Sequence, residues 1–313
     1  MDSLDTILDS VRLETSILSR AHLRAPWAID SGNHPCAIFH GIVSGQCHIQ
    51  VPGAGPAVAL GPGHIVLIPC GEVHVLCDQP GRPPSPRDEL APAPGSGRRV
   101  VTLENRGTGE VTRIVCGTVT LDHEAASWLF ELLPVLIHAR PPAGDATTWV
   151  EAILQRLDGE LERDAPGGEA AIKRFTEILV FHTLRTFATA PVDDEPDRGW
   201  LAAVRDPRIG KALALIHNEP EKGWSVPELA SEIGMSRSRF FQRFSDLVGI
   251  PPARYMSRWR VTTAATLMRE PNLSTEEIAG RVGYASVDSF RTAFRRHIGQ
   301  TVPAYRRAMR RSA

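Results

Sequence analysis

Two short segments of the chain carry basic and polar side chains at the spacing of one helix face. The first face comprises Arg237, Ser238, Arg239, Gln242 and Arg243, and the second Asp288, Ser289, Arg291, Thr292, Arg295 and Arg296, with Val287 beside them. Guanidinium groups bind phosphate oxygens, and arginine, glutamine and aspartate side chains pair with base edges in the major groove of DNA. This chemistry predicts two surfaces that contact double-stranded DNA.

The helices that must position these faces occur in two similar copies along the sequence. Ser225 and Glu228 begin the first copy, and Ser274 and Glu277 begin the second, 49 residues later. A serine followed by glutamate at this spacing is a capping box, which marks the start of a helix. Apolar residues and a glycine follow in each copy, and a second serine then opens a second helix. Each copy is therefore a predicted helix-turn-helix, whose second helix fits the major groove.

Phenylalanines are expected to form the buried face of the second helix in each copy: Phe240 and Phe244 in the first, and Phe290 and Phe294 in the second. Between the copies, Pro252 to Met268 predicts a helix roughly 25 Å long. Such a helix would hold two reading units about 34 Å apart, one turn of the duplex. A single chain could then read a non-palindromic site.

Charge divides the chain in the same place. Residues 205–313 carry 19 Lys and Arg against 10 Asp and Glu, a net charge of +9, and residues 1–204 carry 16 against 26, a net charge of −10. The basic end suits a phosphate backbone, and the acidic end should stay off it. No run of eighteen apolar residues predicts a membrane span, and the start lacks signal-peptide features, so we expect a cytoplasmic protein with no membrane contact.

The N-terminal half carries strand signals after a short predicted helix, Leu4 to Leu13. The predicted strands are Ala37 to Val43, Cys47 to Val51, Ala57 to Leu60, Ile65 to Ile68, Val73 to Leu76 and Val111 to Leu121. They are short, rich in β-branched residues and separated by glycine or proline turns. The pattern predicts a small antiparallel barrel or double-sheet roll.

Within this half, Gly63, Pro69, Gly71 and His74 resemble the second cupin motif. Where a metal-binding cupin has its first motif, with two histidines and a glutamate, this chain has a different set of candidate ligands. The four candidate ligands are His34, Cys36 and His40 together with His74. Nitrogen and sulfur ligands of this kind suit a divalent metal such as zinc. Alternatively, the histidines line the barrel interior for an organic effector, or simply satisfy each other's hydrogen bonds.

The five cysteines lack zinc-finger spacing, which favours reduced thiols. Cys70, Cys77 and Cys116 lie on or beside predicted strands. They are interpreted as buried and unreactive, or as an oxidant switch in a sensing domain.

The remaining segments connect the two halves. Residues 78–99 hold six prolines and three glycines and predict a flexible loop or a lid. Helical periodicity over Glu124 to Leu133, Thr147 to Glu162 and Glu169 to Thr186 predicts helices that cover the barrel or form a dimer seam. Val192 to Asp197 is the predicted linker. The expected fold is α+β, with a cupin-like domain over 1–121, a helical linker and possible dimerisation segment over 122–199, and a DNA-binding domain over 200–313.

The C-terminal half resembles the DNA-binding domain of AraC/XylS-type transcription regulators. The residues that carry the likeness are Gly283, Tyr284, Ser286, Phe290, Phe294, Gly299, Pro303, Tyr305 and Arg306. The N-terminal half resembles the cupin-like sensor of one branch of that family, through Phe39-His40, the Gly63 to His74 motif, Cys116-Gly117-Thr118 and Trp200 to Ile216.

The resemblance implies which side chains read DNA. Base contacts are carried over to Ser238, Phe241 and Gln242 in the first unit and to Val287, Asp288, Arg291 and Thr292 in the second, and phosphate contacts to Arg237, Arg239, Arg243, Arg295 and Arg296. The resemblance therefore implies a bacterial transcription regulator rather than an enzyme. Its barrel is expected to sense a small molecule, metal or redox signal. Its expected partners are double-stranded DNA and an effector, with RNA polymerase and a second copy as candidates. The alternatives are a cupin metalloenzyme, a dioxygenase or isomerase, fused to a DNA tether, and an architectural DNA binder.

Overall fold

The fold is described from a computed structural model of the chain, over residues 13–84, 91–92, 100–121, 124–141, 149–163, 165–189, 199–270 and 272–312. The chain folds as two compact units. Leu13–Thr120 with Pro134–Ala190 is called the β-rich unit, and Leu121–Leu133 with Pro191–Ala313 the helical unit. The chain thus leaves the β-rich unit, contributes a short segment to the helical unit, and returns.

Two sheets form the β-rich unit. The strands are β1 (Leu13–Arg24), β2 (Ala28–Asp30), β3 (Ala37–Ser44), β4 (Cys47–Gln50), β5 (Val58–Leu60), β6 (Ile65–Ile68), β7 (Val75–Cys77), β8 (Ala91–Pro92), β9 (Val101–Glu104), β10 (Val111–Leu121) and β11 (Ile137–Ala139). One sheet has the order β11-β6-β3-β10-β1-β9-β8 and the other β2-β7-β4-β5. The expected α+β fold with a cupin-like β domain is confirmed, although β9 runs parallel to β1, which the sequence did not predict.

Five of these strands were not predicted from the sequence: β1, β2, β8, β9 and β11. Arg20 lies in the middle of β1 and is only 5% exposed. Its Nε lies 3.0 Å from the Asp158 carboxylate, and its Nη2 donates to Glu162 at 2.6 Å. The sequence gives no sign that this arginine is buried, because charged side chains are almost never fully buried unless they are paired. The predicted helix Leu4 to Leu13 lies outside the described residues except for Leu13, where β1 begins.

The helices are α1 (Trp128–Glu131), α2 (Trp149–Arg163), α3 (Gly168–Thr189), α4 (Trp200–Arg205), α5 (Pro207–Asn218), α6 (Val226–Glu232), α7 (Arg237–Val248), α8 (Pro252–Leu267), α9 (Thr275–Arg281), α10 (Val287–Ile298) and α11 (Val302–Ser312). Short 3-10 helices cover Glu124–Ala126 and Pro220–Lys222. None of the described helices is long and apolar enough to cross a membrane.

Helices α2 and α3 belong to the β-rich unit, where they contact each other and strands β1, β3, β6 and β11. The side chain of Leu154 approaches Gly41 of β3 so closely that a methyl group at Gly41 would overlap it. The two helices therefore cover the larger sheet, which was one of the two interpretations left open. The single helical linker expected over 122–199 is corrected accordingly: α1 joins the helical unit, and α2 and α3 join the β-rich unit.

Two other expectations fall wholly or partly outside the described residues. The predicted linker at 192–197 lies outside them altogether. Of the loop expected over 78–99, residues 78–84 and 91–92 are described, and Ala91 and Pro92 form strand β8, which pairs with β9. Part of that segment is therefore sheet.

The segment 124–133 packs inside the helical unit. Trp128 is 6% exposed, and its indole Nε1 donates to Thr262 Oγ1 of α8 at 3.1 Å. The Thr262 hydroxyl in turn donates to the Ala125 carbonyl at 2.6 Å. The indole of Trp200 donates to the Leu129 carbonyl at 3.0 Å. The first two bonds fasten the segment to α8, the helix that joins the two repeated copies, and the third fastens it to α4.

Candidate nucleic-acid interface and sensor cavity

The first helix-turn-helix comprises α6 and α7. The backbone amide of Ser225 donates to the Glu228 carboxylate at 2.9 Å, and the Glu228 amide donates back to the Ser225 hydroxyl, which completes the predicted capping box. Hydrogen bonds from Ser225 hold the pKa of Glu228 below its ordinary value. Phe240 and Phe244 are fully buried, with ring centroids 5.6 Å apart. The inward face of α7 is therefore fixed by these two rings.

The second helix-turn-helix comprises α9 and α10 and repeats this geometry. Ser274 and Glu277 form the second capping box. Phe290 and Phe294 are fully buried with centroids 5.7 Å apart, and Tyr305 of α11 packs against Phe294 at 5.4 Å. The duplication read from the sequence is thus a duplication of structure.

The opposite faces of α7 and α10 point away from the core. All the predicted DNA-contacting side chains on them are exposed, apart from the half-buried Val287. Phe241 is 48% exposed, so its ring is accessible on this face. An exposed ring beside arginines and a glutamine can contact the methyl group of thymine.

Two of the predicted arginine contacts already have acidic partners. Arg243 donates from Nε and Nη2 to Asp206 Oδ2, at 2.9 and 2.5 Å. Burial raises the pKa of Asp206, but hydrogen bonds from the Ile209 amide and from Arg243 outweigh it and leave that pKa below its ordinary value. Arg291 lies 3.5 Å from Asp288 and 4.0 Å from Glu276. Either arginine must share or exchange its partner to bind DNA.

The turn of the second helix-turn-helix contacts the segment that precedes the first one, beside α8. Gly283, in the turn of the second copy, has φ +76° and lies against the backbone of Pro220 and Gly223, which precede the first copy. Any side chain at Gly283 would overlap that backbone. Arg260 of α8 donates to the Trp224 carbonyl at 2.8 Å and stands 5.7 Å from the ring centre of Tyr284. These contacts fix the spacing of the two exposed faces.

The β-rich unit contains a cavity of about 340 Å³. It is lined by residues of β1, β2, β3, β7, β9 and β10 and of the turn after β2: Leu18, Ser19, Ala21, Ile29, Asp30, Ser31, His34, Ile38, His40, Leu76, Leu103, Ile114 and Cys116. Two of the predicted ligands, His34 and His40, and one predicted redox cysteine, Cys116, are among them.

A chain of hydrogen bonds runs along one side of this cavity. His74 Nδ1 lies 2.7 Å from the Glu72 carbonyl, which can only accept, so Nδ1 carries the hydrogen. His74 Nε2 then accepts from His40 Nε2 at 2.7 Å, and His40 Nδ1 accepts from the Cys116 thiol at 2.9 Å. Burial lowers the pKa of both histidines, which keeps them neutral, as this arrangement requires.

The predicted metal ligands do not converge on one point. His40 and His74 face each other, but His34 Nε2 donates to the Ser31 carbonyl at 2.8 Å, and Cys36 is partly exposed and forms no close group with the histidines. The second nitrogen of His40 contacts Cys116, which was not a predicted ligand. Among the described residues, the close group of three candidate ligands is His22, Asp158 and Glu162. Its two carboxylates are neutralised by the guanidinium groups of Arg20 and Arg113. The second group is already paired with arginines, and the four predicted ligands do not form such a close group, so a metal in the β-rich unit stays a prediction.

The predicted redox cysteines lie in different surroundings. Cys116 borders the cavity, and burial raises the pKa of its thiol to about 12. Burial also raises the pKa of Cys77, whereas Cys70 is exposed. A raised pKa disfavours the thiolate that reacts with oxidants. The oxidant switch remains a prediction.

Sequence reasoning missed Ser31 and the hydrophobic side chains of β1 and β9 that line the cavity. Ser31 Oγ lies 2.8 Å from His74 Nδ1 and so supports the histidine pair. The one available signal was the alternation of Ile17, Ala21 and Leu23, all buried on one side of β1. The polar residues Thr15 and Ser19 at the same alternating positions weakened it.

Comparison with known proteins agrees with both halves of the molecule. Residues 2–189 match a family described as cupin, and residues 229–308 match a helix-turn-helix domain. The transcriptional regulator AlkR of Acinetobacter baylyi is 30% identical over 314 residues, 98% of this chain and 99% of that protein. An AraC-like transcription regulator of Streptomyces antibioticus is 28% identical over 98% of this chain and 99% of its own length. The RCS-specific transcriptional activator RclR of Escherichia coli is 27% identical over the whole of both chains.

A cupin-type β domain joined to two helix-turn-helix copies defines a DNA-binding transcription regulator rather than a cupin enzyme. The chain belongs to the AraC-type family of transcription regulators, in the branch with an N-terminal cupin domain.

Proposed function

We propose that the chain reads a promoter with α7 and α10 and that a small molecule bound in the cavity of the β-rich unit changes this binding. The observation that carries the proposal is the path of one strand. Strand β10 lines the cavity through Ile114 and Cys116 and continues to Leu121. Three residues later the chain enters the segment whose Trp128 and Ala125 bond to α8.

This path supports coupling between the signal and the DNA. A ligand that displaces Ile114 or Cys116 acts on a strand whose covalent continuation is fastened to the helix between the two reading units. Since Thr262 bonds to both Trp128 and Ala125, a shift of the segment changes contacts of α8 directly. The two reading units are spaced by α8 and by the Gly283 contact, so such a shift changes how well both fit successive grooves at once.

Direct base reading is assigned to Ser238, Phe241, Gln242 and Val287, Asp288, Arg291, Thr292, and phosphate binding to Arg237, Arg239, Arg243, Arg295 and Arg296. The exposure of these side chains supports the division. Replacing Gln242 with alanine is expected to relax preference at one base pair by about 1–3 kcal/mol, because a bidentate contact to adenine is lost. Replacing Arg295 with alanine should instead weaken binding to all sequences alike and reduce its salt dependence.

Selection of binding sites from random duplexes, followed by sequencing, measures both effects. The Arg295→Ala variant is the matched control, since it removes an exposed side chain of α10 without removing a base contact. Identical selected sequences for the wild-type and Gln242→Ala proteins would show that the assigned face of α7 does not read bases.

A second copy of the chain and RNA polymerase are further proposed partners in the cytoplasm. Trp149 and Ile178 on α2 and α3 are 47% and 45% exposed, which supports a homodimer through these helices. Sedimentation of the full chain measures it directly. A single mass equal to one chain at micromolar concentration would exclude the dimer.

A further inference from the structure

The cavity is mainly apolar. Seven of its thirteen lining residues are alanine, leucine or isoleucine, contributed by several strands of both sheets. No lysine or arginine is among the lining residues. Binding sites select ligands whose surface matches such a lining, because each apolar group removed from water adds favourable free energy.

Several polar atoms of the lining already have hydrogen-bond partners within the protein. His40 uses one nitrogen for His74 and the other for Cys116. Ser31 Oγ contacts His74, and His34 Nε2 contacts the Ser31 carbonyl. A ligand therefore meets few free donors or acceptors, and any strongly polar group that it buries here loses its bonds to water without replacement.

The electrostatics of the cavity exclude a stable charge on the ligand. Asp30 is the carboxylate of the lining; it is exposed, and its Oδ1 accepts from the Gly32 amide at 2.8 Å. His40 is buried, and burial lowers its pKa, so it supplies no positive charge. An anion would find no lysine or arginine in the lining, and His34 Nε2 already donates to the Ser31 carbonyl. The attraction of a cation to exposed Asp30 is weakened by water.

We propose that this regulator responds to an uncharged, mainly apolar small molecule that fills the cavity between the sheets. The inference rests on the proposed function, since it names the class of ligand for the same cavity. The volume of about 340 Å³ is that of roughly eleven liquid water molecules, which suits a compact ring or short chain of roughly ten non-hydrogen atoms.

The test uses three probes that share a 4-substituted phenol ring and differ in charge: 4-ethylphenol, tyramine and 4-hydroxyphenylacetate. Calorimetric titration of the full chain should give at least tenfold tighter binding for 4-ethylphenol than for the cation or the anion. 1-Octanol serves as a second, flexible neutral probe. Equal or tighter binding of either charged probe, or no binding of both neutral probes, overturns the proposal.

Two variants locate the binding. Leu103 is half-buried at the cavity, and Leu103→Lys should transfer preference from 4-ethylphenol to 4-hydroxyphenylacetate by supplying the missing positive charge. Val101→Lys is the matched control, because Val101 lies on the same strand, is 40% exposed and does not line the cavity. If Leu103→Lys does not fold, Ala21→Leu should fill part of the cavity and weaken 4-ethylphenol binding at least tenfold. Unchanged affinity in the folded cavity variant contradicts the site.

Gel retardation of promoter duplexes distinguishes an error in the ligand class from an error in the proposed coupling to DNA. DNA binding that persists and does not respond to a bound neutral probe would contradict the coupling in the proposed function while the ligand class stands. A protein that responds to a charged effector would retain the proposed function and refute the ligand class.

Discussion

Replacing Phe294 with alanine is expected to lower the free energy of unfolding of the second helix-turn-helix by about 3–5 kcal/mol. The ring is fully buried between Phe290 and Tyr305, at centroid distances of 5.7 and 5.4 Å, so its removal leaves a cavity that neighbouring side chains cannot easily fill. Hydrogen exchange of α9 to α11 in the full chain measures the loss. Sequence-specific DNA binding should fall with it.

Phe241→Ala provides the matched control. Phe241 is 48% exposed, so the same chemical change on a recognition helix should cost little stability and affect only DNA binding. Equal protection of α10 in Phe294→Ala and wild-type protein would mean that the rings do not hold this helix in place.

The second large effect is expected at Trp128, which precedes the helix-turn-helix repeats by about a hundred residues in sequence. Trp128→Ala should destabilise the helical unit by about 3–5 kcal/mol. The indole packs edge to face against Tyr255 at 5.1 Å, bonds to Thr262 and lies under Arg258 at 5.5 Å. Thr262 would also lose a buried donor. Urea denaturation monitored at amides of α8 measures the change.

Trp149→Ala is the control for a tryptophan deletion elsewhere. Trp149 is 47% exposed in the β-rich unit, where its ring contacts His182 at 4.6 Å. It should leave the stability of α8 unchanged. Should Trp128→Ala also leave α8 unchanged, the segment 124–133 would be an accessory rather than a part of the helical core.

The DNA-binding half was predictable because its signals are local. Ser274, Glu277, Gly283 and Phe290 lie within seventeen residues, and each acts on its own helix or turn. Capping, glycine and the spacing of phenylalanines therefore point to one structure without knowledge of distant contacts. Duplication of the pattern removed most of the remaining ambiguity.

The cavity was less predictable because its lining is assembled from distant strands. Leu18 and Ile114 meet only through the pairing of strands almost a hundred residues apart, and strand register is not written in any one segment. His40 and His74 were found through a resemblance in spacing. Their actual partners, Ser31 and Cys116, depend on where β10 and the turn after β2 are placed.

The route of the chain through residues 121–133 governs how this protein can be dissected. A fragment that starts at residue 199 would keep both repeats but leave an unfilled socket on Tyr255, Thr262 and Trp200, whose partners are encoded upstream. Conversely, a fragment that stops before the repeats would expose the apolar side chains of Trp128 and Leu129 to solvent. No single cut yields two intact pieces, so a self-sufficient repeat fragment needs 121–133 grafted onto its N-terminus or supplied as a separate peptide.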